Sequence, residues 1–140
     1  MANQKEQFQS QFDSFINSFN SGADKVVTHF TEDATIIYPY YAEIPAKMNI
    51  SEYHAQLTGI LPNMQDFTCT DYKIYATDES GTYWATVNAK CFIPFTDKTY
   101  EQHYVMCITV NQAFKITHYV EYGNPLLSQK AFTKDEVMEK

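Results

Sequence analysis

Residues 100–122 read YEQHYVMCITVNQAFKITHYVEY. Two apolar–polar alternating runs flank Asn111-Gln112, a dipeptide that suits a turn, so the stretch reads as a hairpin. A two-residue turn would pair Val110 with Ala113, and directly opposed residues share a face. Counting back, Met106 opposes Thr117, Tyr104 opposes Tyr119, and Gln102 opposes Glu121. This face is mostly apolar and aromatic and is expected to point inward, with Glu121 as its conspicuous ionisable group. The opposite face carries His103, Val105, Cys107, Ile116, His118 and Val120, apolar enough for a second subunit to cover it.

Upstream, period two continues back to Phe67, with breaks at residues 78–81 and near Thr96-Asp97-Lys98. The result is four long antiparallel strands in a meander. A tight turn at Asp97-Lys98 adds Ala89, Cys91 and Ile93 to the inner face, and a turn across Glu79-Ser80-Gly81 adds Tyr72 and Ile74. Before Phe67 the period becomes helical. Phe8, Phe12, Phe15, Ile16 and Phe19 form one apolar stripe that ends at Gly22. A short second helix carries Val26, Val27 and Phe30, and Asp33–Pro39 reads as a strand stopped by proline. Asn49 with Glu52 predicts a capping box for a third helix, whose apolar face holds Ile50, Tyr53, Leu57, Ile60 and Leu61 up to Pro62. His54 lies within that face and Thr58 one turn on. Helices followed by a meander predict an α+β fold, with helices packed on one face of a curved sheet. The expected domain is 1–132, and the charged residues 133–140 read as a frayed tail.

Composition narrows the function. The chain has 140 residues and a net charge of −7; all ten of its bases are lysine. Nucleic-acid binders need clustered cations and favour arginine, so nucleic acid and anionic membranes are not expected partners. The N-terminal Met-Ala-Asn-Gln-Lys-Glu has no apolar signal core, and Cys69, Cys91 and Cys107 show no Cys-x-x-Cys spacing. A cytoplasmic protein with reduced thiols is the expectation. His103 and Cys107 share a face but stand roughly 13 Å apart along a strand, too far for one ion, so no metal and no cofactor are expected. A carboxylate in an apolar pocket is raised toward neutrality and can exchange a proton near working pH, which singles out Glu121. Gln102 is expected to orient it or a ligand oxygen, and Tyr38, Tyr72, Tyr104 and Tyr119 to line the cavity wall.

The ordered set Asp33-Ala-Thr, Tyr38-Pro39, Tyr100-Glu-Gln-His-Tyr104 and Lys115-Ile116 leading to Glu121-Tyr-Gly-Asn-Pro-Leu126 resembles the SnoaL-like group of the nuclear transport factor 2-like superfamily. The nearest resemblance is to phenazine biosynthesis A/B proteins. It implies a cone-shaped α+β barrel of a curved, mostly antiparallel sheet, with three helices from the N-terminal half on its concave face. It also implies an internal pocket and frequent dimerisation. In that family a His and a hydroxyl residue one turn apart on the third helix work with a Glu on the last strand. His54, Thr58 and Glu121 match them, with Thr where the family has Ser, while the family's Arg has no counterpart in this arginine-free chain. The combined expectation is an enzyme catalysing proton transfer on a small, mostly apolar molecule, of cyclase, isomerase, dehydratase or condensation type. Glu121 and His54 would be catalytic, and Thr58 and Gln102 orienting donors. A non-catalytic binding or sensing domain, or a dimerisation scaffold, are the alternatives.

Overall fold

The computed structural model describes residues 3–41 and 44–135. Asn3 caps the first helix, α1 (Gln4–Ser18), by accepting a hydrogen bond from the Glu6 amide at 2.8 Å. The expected stripe is the buried one: Phe8, Phe12, Phe15 and Ile16 are each at most 2% exposed, and burying each side chain contributes roughly 1.5–3 kcal/mol. Gly22, at φ 100, then begins the short α2 (Ala23–Val27). Phe30, read above as helical, instead opens β1 (Phe30–Ile37), and a two-residue β2 (Lys47–Met48) pairs with it. The capping box at Asn49 and Glu52 is present in both directions and starts α3 (Ile50–Ile60). A 3₁₀ turn, Leu61–Asn63, leads into the meander of β3 (Gln65–Ala76), β4 (Thr82–Ile93), β5 (Lys98–Val110) and β6 (Ile116–Tyr122). A fourth helix, α4 (Pro125–Phe132), follows.

The six strands form one curved, unclosed sheet in the order β2-β1-β6-β5-β4-β3, antiparallel except where β1 runs parallel to β6. The helices lie over its concave face, and the main core fills the space between. This is the expected cone-like α+β architecture. A smaller core of Cys91, Ile93, Tyr100 and Ala131 sits under α4.

The hairpin register differs from the expectation. Met106, not Gln102, opposes Glu121; Ile108 opposes Tyr119, and Gln102 pairs with Ala89 on the other side. The cause is the turn. The Asn111 side chain accepts from the amides of Ala113 and Lys115, and Phe114 adopts φ 60, so the loop spans residues 111–115 rather than two. The pairing therefore shifts by four residues. Four is even, so Glu121 and Tyr119 keep their inward face. A bulge between Thr109 and Val110 puts Ile116 opposite Val110, and Ile116 is buried at 4% rather than on the outer face. Of the expected tail, Thr133–Asp135 are exposed, with Lys98 bonded to the Thr133 carbonyl and Asp135; residues 136–140 lie outside the described residues.

Candidate active site

Between the sheet and α1, α3 and α4 lies a cavity of about 390 Å³. Its floor is β5 and β6, through Tyr100, Tyr104, Met106 and Glu121. Tyr38 and Tyr41, at and beyond the end of β1, close one side, and Gln56, Leu57 and Ile60 of α3 form the helical wall. Pro125, Ser128, Gln129 and Phe132 of α4 cover it. Gly59, Asn63, Phe95 and Gln129 are lining residues that remain exposed and mark the mouth.

Glu121 is the one carboxyl among the described lining residues. Burial among aromatic rings pushes it up from an ordinary 4.5 to about 7, and a hydrogen bond from Tyr119 Oη at 2.7 Å restrains the rise. Among the described residues its second oxygen has no hydrogen-bond partner, and Glu121 lines the cavity. Around it stand Tyr38, Tyr53 and Tyr119, fully buried, with Tyr41 and Tyr104 alongside. Desolvation raises all of these phenols, followed by repulsion from a neighbouring phenol or from Glu121 itself, so they stay protonated and act as donors. Tyr104 Oη lies 3.2 Å from Tyr100 Oη, which accepts from Gln102 Nε2 at 3.0 Å. Tyr41 Oη sits close to Tyr100 without a bond of good geometry and, among the described residues, is buried without a partner.

His54 does not enter the cavity. Tyr53 and Leu57, one turn apart, take the buried face of α3, and His54 and Thr58 stand one residue further round the helix. The His54 ring, 41% exposed, bonds Asp24 of α2 at 2.6 Å. Thr58 Oγ1 donates to the His54 carbonyl and faces an outer groove. The expected Glu121–His54 pairing in one cavity is thus corrected: an apolar stripe fixes a helix's orientation only to about one residue, and α2 supplied a better partner.

Gln102 is 5% exposed, and its amide is used up within the protein. Nε2 donates to Tyr100 Oη and to the Asn124 carbonyl at 2.9 Å, and Oε1 accepts from the Asn124 amide at 3.0 Å. It anchors the start of α4 and steadies Tyr100. Tyr72 packs edge-on against Phe12 at 5.5 Å, away from the cavity. Tyr119 lies beneath Glu121 rather than on the wall, whereas Tyr38 and Tyr104 do line it. Tyr41, Tyr100, Gln56 and all of α4 were missed. Tyr100 had a signal, since it shares inward parity with Gln102 and Tyr104; α4 had one too, an Asn cap followed by Pro at its first position. Tyr41 sits in irregular chain and had none.

No family model matches the sequence, and no curated protein matches it. Solved structures do. An NTF2-like (nuclear transport factor 2-like) protein from Burkholderia xenovorans LB400 superposes with a TM-score of 0.71 at 18% identity, covering 94% of this chain and 100% of that one. The chain has the nuclear transport factor 2-like fold. BvnE pinacolase from Penicillium brevicompactum shares that fold at a TM-score of 0.78 and 15% identity, covering 93% of this chain and 91% of that one. A phenazine biosynthesis-related protein from Pseudomonas aeruginosa does so at 0.69 and 13%, covering 100% and 91%. Among the described residues, no helix is long and apolar enough to cross a membrane.

Proposed function

We propose that this nuclear transport factor 2-like cavity is an active site in which Glu121 transfers a proton to or from a small, mostly apolar molecule. One observation carries the reading: a carboxyl that titrates near neutrality opens onto an apolar cavity ringed by phenol donors. Near neutral pH such a group can both give and accept a proton, and the phenols can stabilise charge that develops on a substrate oxygen. Tyr38, Tyr41 and Tyr104 are the donors on hand. The reaction class is isomerisation, cyclisation, dehydration or condensation, and the pinacolase neighbour supports a catalytic use of this fold. His54 and Thr58 take no part in this reading.

A homodimer through the outer sheet face accompanies it. That face presents Trp84, Val105, Val120 and Tyr122, with Trp84 stacked on Tyr122 at 6.2 Å and 37% exposed. Patches of this kind mark interaction surfaces.

The test is turnover. Library screening by mass spectrometry identifies a converted compound, and Glu121→Gln, which keeps shape and removes ionisation, lowers its kcat by about a hundredfold or more. A variant that turns over at the wild-type rate would refute the role of Glu121.

A further inference from the structure

The mouth of the cavity lies between two helices. On α4, Pro125, Ser128, Gln129 and Phe132 face the cavity at helical spacing. On α3, Gln56, Gly59 and Ile60 do the same, and Asn63 continues the row into the 3₁₀ turn. Both ends of α4 are fastened. Gln102 of β5 makes two hydrogen bonds to the Asn124 backbone at the start of the helix. At its end, Thr96 Oγ1 donates to the Ala131 carbonyl at 2.6 Å, and Lys98 Nζ donates to the carbonyls of Lys130 and Thr133 at 2.9 and 2.8 Å. An ammonium at those terminal carbonyls also complements the helix dipole. Lifting α4 would break all of these bonds together, so the side chains along the mouth set its width.

Gly59 is the gap in that row. Glycine within a helix is less favourable than alanine, and other glycines of this chain have a visible reason to be there. Gly22 and Gly81 hold positive φ, and a Cβ at Gly123 would strike Tyr41. Gly59 has neither reason: it lies within α3 without a positive φ, and a Cβ there would meet no described atom within 4 Å. What its missing side chain leaves free is the mouth, where Gly59 is exposed beside Asn63, Phe95 and Gln129. The Gly59 carbonyl accepts from Asn63 Nδ2 at 3.3 Å, which holds that neighbouring amide against the helix end.

We propose that Gly59 is a specificity-determining residue: the notch it leaves between α3 and the fastened α4 is the passage by which a molecule reaches Glu121, and its width limits the size of what enters. This rests on the reading of the cavity as the place where a small molecule reacts, and it concerns entry rather than the proton step.

A residue that controls passage slows entry and exit by the same factor and leaves affinity unchanged. One that only contacts the bound molecule changes affinity, mostly through dissociation. Stopped-flow fluorescence with N-phenyl-1-naphthylamine, an uncharged probe that brightens in apolar surroundings, measures both rates. Gly59→Leu is expected to lower the association and dissociation rate constants together by about tenfold or more, with Kd within about threefold of wild type. Gly59→Ala, whose Cβ has room, is expected to raise Tm by about 2–4 °C and to slow both rates by a smaller factor. Unchanged rates in Gly59→Leu would overturn the role of Gly59, whether the probe enters elsewhere or sits on the outer sheet face. So would a Kd that rises by more than association slows, a Gly59→Ala protein with a lower Tm, or a wild-type protein that takes up no probe. Should Gly59→Leu not fold, the two rates of Gly59→Ala decide by the same criteria. Uptake of a molecule that does not react leaves the role of Glu121 to its own turnover test.

Discussion

Replacing Glu121 by Gln should make the protein more stable at alkaline pH and leave it nearly unchanged under acid conditions. Burial raises the folded-state value of Glu121 from 4.5 to about 7. Below pH 4.5 the group is protonated in both folded and unfolded chains, and it contributes no pH dependence. Between 4.5 and 7 the folded protein holds a proton that the unfolded chain has released, so stability falls as pH rises. Above 7 the loss is complete. A displacement of roughly two and a half pH units, at about 1.4 kcal/mol for each, amounts to about 3 kcal/mol. Gln occupies the same volume, still accepts from Tyr119 Oη, and never ionises. The variant should therefore match wild type near pH 4.5 and exceed it by about 3 kcal/mol at pH 8, roughly 10 °C in Tm for a domain of this size. Urea unfolding at the two pH values, followed by Trp84 fluorescence, gives the difference directly. The other 16 acidic residues of the chain, from 17 less Glu121, cancel between the two proteins. An equal offset at both pH values, or a variant less stable at pH 8, would refute the claim that Glu121 carries a desolvated charge in the folded state.

Three further outcomes are expected. Gly123→Ala should destabilise by about 1–3 kcal/mol, because its Cβ would meet Tyr41 Oη at 2.1 Å and Gln102 Cδ at 3.2 Å; adding Tyr41→Phe removes the nearer atom, so a thermodynamic cycle should show recovery in the double variant, and strict additivity would contradict the cause. His54→Ala should leave kcat and KM on any identified substrate within about twofold, as for an exposed side chain away from the chemistry, while a large loss would return His54 to the reaction. Val105→Glu should convert a dimer into a folded monomer in sedimentation analysis, and a wild-type protein that sediments as a monomer of 16.2 kDa at micromolar concentration would remove the outer-face interface.

Local pattern was enough for much of this protein. The Phe8–Phe19 stripe, the Asn49–Glu52 box and the alternation of β3 to β6 each depend on neighbours within a few residues, so α1, α3, those four strands and the inward face of Glu121 could be read from the chain. Parity survived even a four-residue slip, since a strand repeats every two residues and an even shift preserves its faces. What depended on packing between distant segments was not legible. The Asn111 side chain closed the β5–β6 loop on its own amides and reset the register. Rotation of α3 by a single residue, settled when Tyr53 and Leu57 went to the core and Asp24 of α2 met His54, removed the expected partner of Glu121. Gln102 faced inward as its parity required, yet only the return of the chain at Asn124 turned it from a ligand contact into the anchor of α4. Tyr41, in irregular chain, came to Glu121 because Gly123 left room for its hydroxyl. Sequence periodicity determines which side of an element is buried; which side chains meet across the cavity is decided by how the elements rotate and close upon one another, and that is set by contacts between residues far apart in the chain.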